Sequence, residues 1–378
     1  VDAPRFAMVA GEASGDLLAG LLLGGLKARW PGLQAAGIGG PKMAAQGFDV
    51  WWPHERLAVR GYVEVLRHYR GIAAIRDALA ERLLRERPDA FIGVDAPDFN
   101  LGLEARLKAA GIRTIHFVSP SIWAWRPRRI EKIGRSVDHM LCLFPFEPAL
   151  YARHGIAATC VGHPLADAIP LEPPRAAARA ALRLPDDAEV VALLPGSRRS
   201  EIEYIAPLFL DAAAAMQRRR PALRFVLPVV PGLGELMRPL VQRHAGLALQ
   251  WLDGRSHEAL AACDATLIAS GTATLEAALF RRPMVIAYRM NALTWALMKR
   301  MKLQPWVGLP NILLEDFAVP ELIQSDATPE ALARETLAWL DDAPRREHVA
   351  HRFAQLHRTL RRDTARTASD AIAGVIGR

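Results

Sequence analysis

Short runs without a charged residue recur along this chain between longer segments of helical pattern, and runs of that kind are stable only when buried on both faces. Phe6–Ala10, Ala90–Val94, Val190–Leu194 and Ala265–Ala269 are of this type. Helices between such strands force parallel pairing, because a parallel neighbour needs a long crossover. The expected strands of the first half are Phe6–Ala10, Ala35–Ile38, Phe48–Val50, Ala90–Val94, Arg113–Val118 and Met140–Leu143, with helices over Ala73–Arg87 and Leu101–Ala110. A proline-rich stretch, Gly162–Pro185, then interrupts the pattern and reads as a connector. Beyond it the alternation restarts with Val190–Leu194, Phe225–Val229, Leu247–Leu252, Ala265–Ala269 and Val285–Tyr288, and the last forty or so residues are helical. The fold class is therefore α/β: two Rossmann-like domains with parallel sheets facing a central cleft, and carboxyl-terminal helices packing across domains. The expected boundaries are 1–165, a linker at 166–186, 187–345, and terminal helices over 346–378 that cross to the first domain.

Composition narrows the function classes. The 378 residues are 51% hydrophobic and 23% charged, which excludes general disorder. Three scattered cysteines, Cys142, Cys160 and Cys263, exclude a disulfide framework or thiolate-rich zinc site and suit a reducing compartment. There is no long charge-free apolar run, so no transmembrane span is expected. The amino terminus lacks a secretion-signal layout. A balance of 48 basic to 40 acidic residues favours a polyanionic partner: nucleic acid, a phosphorylated ligand or an anionic membrane face.

Ligands of open parallel sheets lie beyond the carboxyl ends of the strands, and four loops there carry chemistry. Gly11-Glu12-Ala13-Ser14-Gly15-Asp16 lets backbone N–H groups approach a ligand, or serves as a turn capped by Ser14 or Asp16. It matches neither GxGxxG nor the phosphate-binding GxxxxGK[ST] pattern. Asp95 and Asp98, flanking Pro97 after the Ala90–Val94 strand, are candidates to take a proton from a hydroxyl, against a plain turn and cap. Gly196-Ser197-Arg198-Arg199 reads as a diphosphate grip or a solvated basic turn. Ser270-Gly271-Thr272-Ala273-Thr274 opens a helix whose free N–H groups suit phosphate, and Glu276 one turn on can accept a ribose diol or complement the helix start.

Two further segments suit a membrane surface. Ser119–Arg129 mixes two tryptophans with arginines, and Arg281–Gln304 holds six basic residues and no acidic one among Trp295, Met298, Lys299, Met301 and Lys302, with Trp306 following. Trp51, Trp52, Arg60 and Arg67 extend this set of lipid-contact candidates, although individual tryptophans can equally be core.

The ordered blocks AGEASGD (Ala10–Asp16), GVDAPDFN (Gly93–Asn100), HFVSPSIWAWRPRRIEKI (His116–Ile133), FPFEP (Phe144–Pro148), VGHPLAD (Val161–Asp167), LLPGSRRSEIE (Leu193–Glu203), ASGTATLEAAL (Ala269–Leu279), AYRMN (Ala287–Asn291) and LPNIL (Leu309–Leu313) resemble the lipid-A-disaccharide synthase family of inverting GT-B glycosyltransferases. The resemblance implies transfer of 2,3-diacylglucosamine from UDP-2,3-diacylglucosamine to 2,3-diacylglucosamine 1-phosphate (lipid X), yielding the β(1→6) disaccharide 1-phosphate and UDP. It implies Asp95 as base with Asp98 in reserve, and Arg198 at the leaving diphosphate. Ser14 and Gly15 would face the reacting sugar. Gly196, Ser197, Ser270, Gly271, Thr272, Ala273, Thr274, Glu276 and Asn311 would line the UDP-sugar. It further implies no cofactor, no metal, no nucleic-acid partner, a homodimer with swapped carboxyl-terminal parts, and peripheral association with the cytoplasmic face of the inner membrane.

Overall fold

The computed structural model describes residues 3–57, 62–124, 127–291, 295 and 303–377, with backbone alone for 62–69. The chain forms two units, one holding the residues up to Asp167 together with those from Leu360 onward, the other running Ala168–Thr359.

The first unit alternates strand and helix: β1 (Arg5–Ala10), α1 (Ala13–Arg29), β2 (Gln34–Gly39), α2 (Pro41–Ala45), β3 (Asp49–Pro53), α3 (Tyr62–Glu86), β4 (Ala90–Val94), α4 (Pro97–Ala109), β5 (Arg113–Phe117), α5 (Arg129–Ser136), β6 (His139–Cys142), α6 (Glu147–Ala152), β7 (Ala158–Cys160) and α7 (Pro164–Ala168). Its seven strands are parallel in the order β3-β2-β1-β4-β5-β6-β7. β4 is buried at every position, as a central strand covered on both faces must be. Helix α3 begins eleven residues before the expected Ala73, and the edge strand β7 was not anticipated. That strand is three half-buried residues long, too short to show a period.

The second unit contains α8 (Arg175–Leu182), β8 (Val190–Leu194), α9 (Arg199–Arg219), β9 (Arg224–Val229), α10 (Gly234–Gln242), β10 (Leu249–Asp253), α11 (Ser256–Ala262), β11 (Ala265–Ala269), α12 (Thr272–Leu279), β12 (Met284–Tyr288), α13 (Leu309–Leu314), β13 (Glu321–Ile323), α14 (Pro329–Asp341) and α15 (Ala343–Leu360). Its sheet runs β10-β9-β8-β11-β12-β13, again parallel. Within the proline-rich stretch, α8 is anchored by Arg179. This fully buried guanidinium donates to the carbonyls of Ala262, Pro185, Asp186 and Ala188 and to Asp264. A buried cation is tolerable only with such complete pairing.

The last helix, α16 (Thr364–Ile376), lies against α1 of the first unit. Gly25 makes this approach possible, since a Cβ there would stand 2.6 Å from the Ala365 carbonyl oxygen. The VGHPLAD block seats the start of α16. His163 N–H donates to Leu360 O at 2.9 Å, and Asp167 accepts from Asp363 N–H and Thr364 N–H at 3.0 and 2.7 Å. Asp167 thus supplies the anionic cap that a helix start favours.

Candidate active site

Both sheets reverse their strand order once, between β1 and β4 and between β8 and β11. Such switch points leave a crevice beyond the strand ends, and all four loops singled out above emerge there.

In the first unit, Ala10 and Val94 end β1 and β4 side by side. A Cβ on Gly11 would lie 3.0 Å from the Ala96 Cβ, so the two loops touch. Asp95 and Ala96 both adopt left-handed backbone, with φ of 52° and 43°. For residues with a Cβ this costs about 1–2 kcal/mol each. The turn is held by Asp95 N–H donating to Phe117 O at 2.9 Å and by the Asn100 amide donating to Asp95 O at 2.8 Å. Asp95 is half-buried. Asp98 stands in the first turn of α4 with its side chain 81% exposed, paired with Arg129. Ser14 is exposed on the first turn of α1 and Gly15 is buried behind it. Asp16 does not cap its own helix. It accepts from Gly40, Lys42 and Met43 N–H at 2.8, 2.9 and 3.1 Å, clamping the turn into α2.

The loop after β5 carries Val118 at φ 80°, a rare conformation for a β-branched residue. It delivers Trp123, whose indole N–H donates to Glu147 at 3.0 Å. Glu147 also accepts from Phe144 N–H at 3.0 Å. Its burial pushes its carboxyl up to about 7 against these hydrogen bonds. Trp123 is therefore an internal anchor, edge-on to Phe144 and Phe146. Trp125 and Arg126 lie outside the described residues.

In the second unit, Gly196 has φ 121° and its loop is closed by Glu201, which accepts from Ser197 N–H at 2.8 Å and Arg198 N–H at 3.2 Å. Those two amides are consequently occupied. What the loop presents outward is the Arg198 guanidinium, 77% exposed at the start of α9. Next to β8, β11 is followed by Ser270 and Gly271, the latter at φ 149° with open space where a Cβ would sit. Thr272 and Ala273 open α12, where unpaired N–H groups and the helix dipole favour an anion. Thr274 is fully buried and donates to Gly271 O at 2.7 Å, so its hydroxyl shapes the turn. Glu276 lies 3.7 Å from His257 on α11, a residue without a recognisable motif. The adjacent Glu276 carboxylate raises the His257 imidazole above its ordinary value, against partial burial.

Asn311 departs from a direct nucleotide contact. It is fully buried, donating to Val319 O and Glu321 at 2.9 Å each and accepting from Val319 N–H at 3.0 Å. Glu321 in turn accepts from Val307 and Gly308 N–H. Asn311 is thus a brace for the segment before β13, leaving its side chain no surface for a ligand.

The surface candidates divide. Trp51 and Trp52 pack against the first unit's core, and Arg82 lies 3.4 Å over the Trp51 ring. Arg67 lies in α3, and Arg60, Met298, Lys299, Met301 and Lys302 fall outside the described residues. Trp295 is half-buried. Trp306, also half-buried, faces Phe317 at 6.2 Å, and Phe317 and Leu303 are more than half exposed. No helix among the described residues is long and apolar enough to cross a membrane, and none of their His, Cys, Asp and Glu side chains cluster in threes suited to a metal.

The two-sheet architecture is shared with solved structures of low sequence identity. One is described as a UDP-N-acetylglucosamine 2-epimerase from Listeria monocytogenes, with TM-score 0.64 and 13% identity over 100% of this chain and 96% of that one. Another is HepE of Anabaena, solved with UDP and glucose, at TM-score 0.57 and 12% identity over 100% of both chains. Among curated proteins, the lipid-A-disaccharide synthase of Verminephrobacter eiseniae is 60% identical over 380 residues, 98% of this chain and 97% of that one. A relative in Burkholderia thailandensis with the same name is 57% identical over 374 residues. The family model for lipid-A-disaccharide synthetase matches residues 6–373, so this GT-B chain belongs to that family of glycosyltransferases.

Proposed function

We propose that this chain transfers 2,3-diacylglucosamine from its UDP conjugate to the 6-hydroxyl of 2,3-diacylglucosamine 1-phosphate. The observation carrying the reading is family membership over nearly the whole length, joined to a carboxylate loop and a cationic loop at the two switch points. Asp95 takes the proton from the acceptor hydroxyl as that oxygen attacks the anomeric carbon. The bond from this carbon to the diphosphate breaks, and its electron pair leaves with UDP. One displacement inverts the anomeric centre, giving a β(1→6) link without a covalent intermediate.

Base and leaving group need opposite environments. Asp95 makes no side-chain hydrogen bond among the described residues, so its carboxylate is available to an incoming hydroxyl. Asp98, paired with Arg129, orients the first turn of α4. Arg198 and the N–H groups of Thr272 and Ala273 offset charge on the departing diphosphate, and Glu276, steadied by His257, accepts the ribose hydroxyls. Ser14 faces the sugar, whereas Gly196, Ser197, Thr274 and Asn311 shape the loops that carry these groups. Trp306 and Phe317, whose rings face each other, and the exposed Leu303 supply apolar surface for peripheral contact with the cytoplasmic leaflet.

The test is to incubate purified protein with UDP-2,3-diacylglucosamine and 2,3-diacylglucosamine 1-phosphate in detergent micelles. Mass spectrometry should show the disaccharide 1-phosphate appearing with an equal amount of UDP. Folded protein yielding UDP alone, or free epimerised sugar, would contradict the reading.

A further inference from the structure

Beneath the Asp95 turn lies a group of buried polar side chains that the transfer chemistry leaves unused. Asn100 and Glu104 sit four residues apart on α4, and His116 is the registered neighbour of Gly93 on β5. All three are fully buried. His116 Nδ1 and Glu104 Oε1 are 2.7 Å apart. Gly93 is what lets them close in: a Cβ there would stand 2.2 Å from Glu104 Oε1 and 3.0 Å from Asn100 Cβ. Each also keeps a buried atom without a partner, namely Asn100 Oδ1, Glu104 Oε2 and His116 Nε2.

As a stabilising device this makes poor sense. Unpaired buried polar atoms are destabilising, and apolar side chains of similar volume usually fill such a site at equal or lower free energy. The arrangement makes sense as a restraint. Two successive left-handed residues relax unless held from outside, and Asn100 holds the Asp95 carbonyl directly. Glu104, fixed by His116, fills the space under Gly93 and blocks the strand end from settling.

We infer that Asn100, Glu104 and His116 are positioning residues for Asp95, together holding its turn so that the carboxylate is presented to the acceptor hydroxyl. The inference rests on Asp95 being the base, which Asp95→Asn tests separately in the same assay.

The experiment measures kcat, KM for both substrates and UDP affinity in two variants, Asn100→Leu and the paired Glu104→Leu/His116→Leu. The paired variant removes both polar groups together and so leaves neither one stranded. Misplacing a base by a fraction of an ångström should lower kcat about tenfold to a hundredfold. KM and UDP affinity should stay within about twofold, because ground-state binding is untouched. Wild-type kcat in either folded variant overturns the inference. So does a parallel loss of kcat, KM and UDP affinity, which would mark general structural damage. If Asn100→Leu does not fold, the paired variant decides. If Asp95→Asn itself retains turnover, the base assignment has failed; if it abolishes turnover while both variants keep kcat, the positioning inference alone has failed.

Discussion

The two units share a strand order around their switch points but build the turns to which we assign the substrates by opposite means. In the second unit glycine supplies the unusual backbone, at Gly196 and Gly271, with φ of 121° and 149°. In the first unit the corresponding turn is carried by Asp95 and Ala96. The proposed chemistry explains the difference. A diphosphate is approached by backbone N–H groups and a flexible guanidinium, so an absent side chain is an advantage. A general base must itself be a side chain at the strained position, and glycine cannot serve. On the proposed assignment the first unit accepts left-handed backbone at residues that carry a Cβ, whereas the second places its unusual backbone at glycine; both turns are braced by polar side chains, Asn100 in one and Glu201 and Thr274 in the other.

That contrast can be broken experimentally. The largest expected effect is at the cationic turn: Arg198→Ala should lower kcat/KM by about 10²–10³-fold and weaken UDP binding, measured by calorimetry. If UDP affinity were unchanged, the diphosphate would not rest on this loop. Asn311→Ala sharpens the distinction between touching and bracing. It strands the Val319 backbone and Glu321, so unfolding free energy should fall by about 2–3 kcal/mol, followed by denaturant titration of the second unit's signal. A selective loss of UDP affinity at unchanged stability would instead make Asn311 a ligand contact.

A further prediction concerns the first unit's buried titratable groups. Burial lowers the His163 imidazole from 6.5 to about 4, with Asp167 opposing, and its Nδ1 accepts from Leu165 N–H at 3.2 Å. A folded-state value below the unfolded one stabilises above pH 6.5 and is lost as pH falls toward about 4. Glu147 has the opposite sign: raised from 4.5 to about 7, its contribution is present below pH 4.5 and lost as pH rises through about 7. Each is worth about 3 kcal/mol at one unit per 1.36 kcal/mol, so the two largely cancel in the window they share. Thermal melts across pH should show a broad optimum in the wild type. His163→Gln should unmask a decline toward neutral pH, and Glu147→Gln a decline toward acid. Flat profiles in both variants would mean that neither group titrates as its burial demands.

Much of this is legible in the sequence. Buried central strands have an unmistakable composition, and Ala90–Val94, Val190–Leu194 and Ala265–Ala269 coincide with β4, β8 and β11. The ends of those strands located the loops. What the sequence could not convey was which polar residue in a loop faces outward. Asp16, Thr274 and Asn311 look as chemical as Asp95 and Arg198, yet their groups are consumed by backbone partners: Asp16 by the turn into α2, Thr274 by the turn that opens its own helix, and Asn311 by the segment before β13. Glu104 and His257 lie in no motif, and His116 only opens one of the ordered blocks, because their roles arise from neighbours distant in sequence. The edge strands β7 and β13 are three residues each, too short for a sequence pattern to mark, and Trp51 and Trp123 are anchored within the first unit.

The division of labour between the turns is tested most directly by Asp95→Asn, comparing disaccharide formation with UDP affinity on the same preparation. The account predicts turnover reduced by at least about 10²-fold, the usual share of a general base, with UDP binding unchanged. Turnover near the wild-type rate would contradict it.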